Sequence, residues 1–160
     1  MKNILFLSLI LTLLSCKTTK KTVEVTFPKI VQFSELTKND NSGYMKKKNF
    51  IIASTEAYDE AWTELFSNFM KKPPIPAINF ETSMIILVTM GEKTNGGYSI
   101  HVKSITENEK DVVVLIEEMI PAKNCMTTSV IVYPAQLIEI PATDKEIIFT
   151  TEKNIYSCEE

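Results

Sequence analysis

No arginine occurs anywhere in the 160-residue sequence: its 17 basic side chains are all lysine, against 20 acidic ones, for a net charge of −3 at pH 7. Phosphate and base-edge recognition lean on the planar guanidinium fork and on clustered positive charge, which argues against a nucleic-acid partner. Lys46-Lys47-Lys48 reads as a solvated loop face. Histidine is equally scarce, with His101 the single copy. A metal site would therefore rest almost wholly on carboxylates, and none shows the alternating spacing of a calcium loop. Glu117 and Glu118 would face opposite sides of a regular strand, a poor acid–base pair better explained as a solvated sheet edge. A nucleophilic Cys125–His101 pair is conceivable, but a disulfide would consume its thiol. No catalytic residue, metal or cofactor is expected, and the protein is not expected to be an enzyme.

Cysteine is also sparse, with three copies, Cys16, Cys125 and Cys158. The first closes "MKNILFLSLILTLLSC", where Lys2 gives a positive n-region and Ile4 to Leu14 an apolar core too short to span a bilayer comfortably. Residues 1–15 read as a secretory signal, and "LLSC" resembles the bacterial lipobox, whose cysteine is acylated and becomes the mature N-terminus. Several acyl chains on Cys16 would anchor the protein stably in a membrane. Residues 16–26 then form a polar tether, and 27–160 a single domain of ample size for a core. Lys17 lacks the acidic character that retains lipoproteins at the inner membrane, so the expected location is the outer membrane, on either face. In that compartment disulfides are permitted. Cys125 and Cys158, 33 positions apart, are the candidate pair.

Along the domain, Val23, Val25 and Phe27 alternate with polar residues as in a half-buried strand, up to Pro28. Leu36 to Lys48 reads as a long exposed loop and "NFIIAS" as a short strand. Ser54 or Thr55 should cap a helix with Tyr58, Ala61, Trp62, Leu65, Phe66, Phe69 and Met70 on its core face. After the proline-rich "KKPPIPAINF" come only strands: "MIILVTM", one starting at Tyr98, "VVVLIEEMI", "SVIVYPAQLIEI" interrupted at Pro134, and "EIIFTT". The expected fold is α+β, one amphipathic helix packed on a mostly antiparallel β-sheet.

The sequence has four glycines, and three of them fall in "GEKTNGGYSI" (Gly91 to Ile100), directly after the apolar strand. Gly91 and Gly96 have the spacing of a phosphate-binding loop. However, Gly97 stands where the lysine belongs, Tyr98 where the hydroxyl belongs, and a strand follows in place of a helix. The loop instead reads as a hairpin turn in which Asn95, Gly96 and Gly97 take positive φ and Tyr98 begins the return strand on the apolar face. A glycine-rich tip of this kind also exposes backbone groups to a partner, so Asn95, Gly96, Gly97 and Tyr98 form the candidate interaction loop.

The ordered set "PAINFETSMIILVTMGEKTNGGYSIHV", an acidic strand, a proline-containing loop and "VYPAQLIEIP" resembles the C-terminal domain of the protease complex subunit PrcB family over about residues 79–141. The matching positions are Gly91, Gly96, Gly97, Tyr98, Ile100, Pro134, Leu137 and Ile138. The resemblance implies a non-catalytic, lipid-anchored or exported accessory that associates with and stabilises a surface protease. A tryptophan found in some relatives near the second strand is absent. "NGGYS" is also similar to a loop of cysteine-protease inhibitors, which makes an inhibitor-like module the alternative. A structural envelope protein or ligand carrier, with a pocket between the aromatic helix face and the sheet, is the third reading.

Overall fold

Seven successive buried residues of "MIILVTM" set the architecture, because only a strand covered on both faces keeps every side chain from water. A computed structural model describes residues 26–158. It contains β1 (Lys29–Ile30), β2 (Ser34–Asn39), β3 (Lys47–Ile52), α1 (Thr55–Leu65), β4 (Ser83–Met90), β5 (Ser99–Glu107), β6 (Asp111–Pro121), β7 (Ala135–Pro141) and β8 (Glu146–Tyr156). The strands form two four-stranded sheets: sheet A in the order β1-β5-β6-β8, and sheet B in the order β2-β7-β4-β3. The protein is thus mostly β with one short helix, and the sheets replace the single sheet expected from the sequence. All pairings are antiparallel except β6 with β8. Those two can run parallel because the chain crosses to sheet B as β7 before returning.

The alternation in β4 explains the packing. Met84, Ile86, Val88 and Met90 face sheet A and join Ile100, Val102, Ile105, Val114 and Ile116 in one core. Ile85 and Leu87 point the other way and meet Tyr58, Trp62, Leu65 and Phe66 in a second core beneath the helix. Each fully buried aliphatic side chain contributes roughly 1.5–3 kcal/mol, so β4, one of the two inner strands of sheet B, anchors both layers.

Ser54 caps α1, its Oγ accepting the Ala57 N–H at 3.3 Å. The helix ends at Leu65, before the predicted stripe is complete, and Met70 is fully exposed. Two further expectations change. Leu36–Lys48 is not one exposed loop, since it contains the last four residues of β2 and the start of β3. Its Ser42 is fully buried, with Oγ donating to the Tyr133 carbonyl at 2.7 Å. In "SVIVYPAQLIEI" the strand begins only after Pro134. The predicted N-terminal strand, the signal, the tether and Cys16 lie outside the described residues, apart from Thr26 and Phe27, which precede β1.

One polar contact ties the sheets together. The Val102 N–H lies at a register shift in β5, between Val102 and Ser104, and bonds to a side chain of the other sheet. Gln136 of β7, almost fully buried, accepts it at 2.6 Å and donates its amide to Glu35. Without that side chain the amide would be orphaned in the core.

Candidate interaction site

The loop "GEKTNGGY" does not close a hairpin. β4 belongs to sheet B and β5 to sheet A, so the loop carries the chain from one sheet to the other. Positive φ occurs at Gly91 (68°) and Gly97 (86°), and at neither Asn95 nor Gly96. Gly91 turns the chain off β4 so tightly that a Cβ there would lie 2.6 Å from the Lys47 nitrogen.

Beyond Gly91 the loop is bonded to the segment between β6 and β7. Lys93 and Val132 exchange backbone hydrogen bonds in both directions at 2.9 Å. The Gly96 N–H donates to the Thr128 carbonyl at 2.9 Å, and Asn95 Nδ2 donates to Thr127 Oγ1 at 2.8 Å. Gly96 is buried, and a Cβ on it would sit 2.3 Å from Thr128 Oγ1. The Gly97 carbonyl accepts the Tyr156 hydroxyl at 2.7 Å, while the Tyr98 ring rests against the inter-sheet core.

The C-terminal end of β8 completes the assembly. Cys125 and Cys158 form a disulfide with Cα atoms 5.1 Å apart, and the Ala122 N–H donates to the Tyr156 carbonyl at 3.0 Å. The structure therefore brings the two separately read candidates, Asn95–Tyr98 and Cys125–Cys158, into one braced cluster. The backbone polar groups of Gly96 and Gly97 that a partner would have used are partly spent inside it.

Among exposed polar residues (Lys123, Asn124, Thr128 and Ser129), the cluster also presents three apolar side chains outward. Met126 is fully exposed (99%), and Val130 and Ile131 about half exposed (52% and 55%). Neither these residues nor Thr127, Thr128 and Tyr156 carry a sequence pattern that marks them as a site. Met126 standing alone among polar residues next to a cysteine was the only local signal.

The carboxylates of β6 are differently placed from expectation. Glu117 and Glu118 do face opposite sides, but β6 is an inner strand and both are buried. On the outer face Glu117 meets Lys103 Nζ at 3.1 Å and His101 Nε2 at 3.2 Å, and Lys103 also pairs with Glu152. The Lys103 ammonium, hydrogen-bonded to Glu117, holds that carboxyl below the usual carboxylate range, against the opposing effect of burial. On the inner face Glu118 lies 2.5 Å from Lys47 Nζ, an ion pair from sheet A to the end of sheet B.

Cys125 has no free thiol to offer His101. Among the described residues no group of three His, Cys, Asp or Glu side chains is placed to hold a metal ion. Nor is any helix among them long and apolar enough to cross a membrane. Trp62 and Phe66 are packed under the helix, leaving that aromatic face closed to a ligand.

Compared with known proteins, residues 84–141 match the family described as PrcB C-terminal. No curated protein and no solved structure gives a match. The matched segment runs from β4 to the end of β7 and so contains both interlocked loops, while Tyr156 and Cys158, which brace them, lie outside it. Through residues 84–141, from β4 to β7, the chain is similar to the PrcB C-terminal family.

Proposed function

We propose that the protein is a non-catalytic accessory subunit, held to the outer membrane through Cys16, that binds and stabilises a protease through the braced loops. The observation that carries this reading is the exposure of Met126, Val130 and Ile131 on a segment braced by a disulfide and by hydrogen bonds to the loop of Asn95, Gly96 and Gly97. Apolar side chains fixed before association lose little entropy on binding, which favours them as anchors at an interface.

The fold supports a direction as well. β5 starts beside Gly97 and ends opposite Lys29, where the described chain begins. β6 covers the same span with eleven residues, roughly 33 Å at the usual strand rise. An anchor entering at the β1 pole would hold the braced loops at the far pole, away from the lipid.

A photo-reactive residue placed at 126 in the full chain should yield a covalent adduct with a protease in membranes, and the same residue at 30 should not. Adducts of equal yield from both positions would reject the assignment of the surface. Cys16→Ser should move the protein from the membrane fraction to the soluble one; unchanged fractionation would reject the anchor. A purified protein that slows a cysteine or serine protease, without extending its lifetime, would favour the inhibitor-like alternative.

A further inference from the structure

At the opposite pole from the braced loops, a cleft of about 300 Å³ opens where β2, β4 and β7 begin or end, lined by residues that include Gln32, Phe33, Ser34, Ser83, Glu139 and Ile140. Glu139 stands across from Ser34 on β2 and Ile85 on β4. Cross-strand partners share a face, and Ile85 packs under the helix, so Glu139 and Ser34 lie on the helix side of sheet B. The half-buried Glu139 carboxylate has no ion pair or hydrogen bond among the described residues.

A second group without a partner lies on the helix that packs against the same side of sheet B. Tyr58, in the first half of α1, is 2% exposed, and its ring is gripped edge-on by Trp62 and Phe80. Its hydroxyl is buried and has no hydrogen-bond partner. Burial, then the negative charge of Glu139, then that of Asp59, push the phenol up to about 12. The Tyr58 hydroxyl thus feels the Glu139 charge but does not itself line the cleft, and it is the unpaired Glu139 carboxylate, at the cleft, that calls for a partner.

We propose that this cleft binds an aliphatic primary ammonium group, such as a lysine side chain or a small alkylamine. An ammonium has three donors and no acceptor. Glu139 supplies the countercharge, the Ser34 and Ser83 hydroxyl oxygens accept the remaining protons, and the partly buried Phe33 at the rim offers apolar surface to the methylene stem. A neutral or anionic ligand would leave the carboxylate unpaired as the cleft is covered, which is the costlier arrangement.

The test is a heteronuclear NMR titration of the full chain in detergent micelles. The probes are n-butylammonium and Nα-acetyl-lysine methylamide, set against the uncharged n-butanol and Nα-acetyl-norleucine methylamide. The amines should shift the amide resonances of Ser34, Ser83 and Glu139 saturably and bind at least about tenfold tighter than their uncharged counterparts. Glu139→Gln should remove that preference without moving the thermal midpoint. Equal binding of charged and uncharged probes, absence of a saturable shift, or unaltered amine binding by Glu139→Gln would each overturn the proposal. The comparison of amine with alcohol on the unsubstituted protein decides the matter even if a variant fails to fold. Because the cleft and the braced loops occupy opposite poles, neither result bears on protease binding.

Discussion

Gly96 and Gly97 leave no room for side chains, for different reasons. A Cβ at Gly96 collides with Thr128 Oγ1, whereas Gly97 combines a φ of 86° with a Tyr156 hydroxyl that would lie 2.9 Å from a new Cβ. Gly96→Ala and Gly97→Ala should each lower unfolding stability by about 1–3 kcal/mol in urea titrations. Met126→Ala, at a fully exposed position, should stay within about 0.5 kcal/mol of the parent. Stability equal to the parent for both glycine variants would remove the brace from the account. For the same reason Gly96 is a poor residue with which to probe binding, since its loss would confound an altered surface with an altered fold. Two tyrosines give a second residue-level test. Burial, reinforced by Glu64 at Tyr44 and by Glu139 and Asp59 at Tyr58, raises both phenols from 10.0 to about 12. In the unfolded chain they ionise at the lower value, so ionisation favours unfolding once the pH exceeds 10. Their contribution is intact below pH 10 and is lost as the pH rises through about 12. Chemical denaturation between pH 9 and 12 should therefore show falling stability. Tyr58→Phe should flatten that fall, and an unchanged slope in the variant would contradict the assignment.

Among the elements, the disulfide and β8 act together. Cys125–Cys158 closes a 33-residue separation that includes all of β7 and β8. Chain-entropy estimates give about 3.5–4 kcal/mol for such a loop. Cys125→Ser with Cys158→Ser should lower stability by about that amount and speed amide exchange at Gly96, whose N–H is held by Thr128 in the braced segment. Slow exchange at Gly96 in the double variant would show that the hydrogen bonds suffice alone. The strands legible in the sequence were those whose period is written locally. β4 reads from its unbroken apolar run and the start of β5 from Tyr98, Ile100 and Val102. β2 does not, because "SELTKN" has one apolar residue, Leu36, and is a strand only through its ladder with β7. The second half of β8, "EKNIY", was hidden likewise: its register along β6 is supplied by a distant strand. The split into two sheets was illegible for a related reason. β4 followed by a glycine loop and β5 has the pattern of a hairpin whether or not the strands pair, and sequential strands usually do. Met70 misled because the 3.6-residue period continues past Leu65 in the sequence, while the helix stops there.

At the scale of the molecule, three layers account for its polarity. Helix α1 covers one face of sheet B, sheet A covers the other, and the chain enters beside β1 while the loops of the family-matching segment gather at the far end. The disulfide pair could be nominated from composition and compartment, and the glycine loop from its spacing. That they form one surface could not be read from the sequence. The contact runs through Thr127, Thr128 and Tyr156, residues with no pattern of their own. An accessory that held its partner through this surface would lose it on a change at the tip and keep it on an equivalent change at the other pole. Ile30, 61% exposed beside the chain entry, provides that control. The most direct measurement is protease activity recovered with the tagged full chain from detergent extracts of its own cells, comparing Met126→Asp and Ile30→Asp with the parent. Met126→Asp should lose at least about tenfold of the recovered activity, as a charge buried in an apolar interface would cause, and Ile30→Asp should retain it. Equal recovery from both variants, or loss from Ile30→Asp alone, would contradict the claim that the braced loops hold the partner.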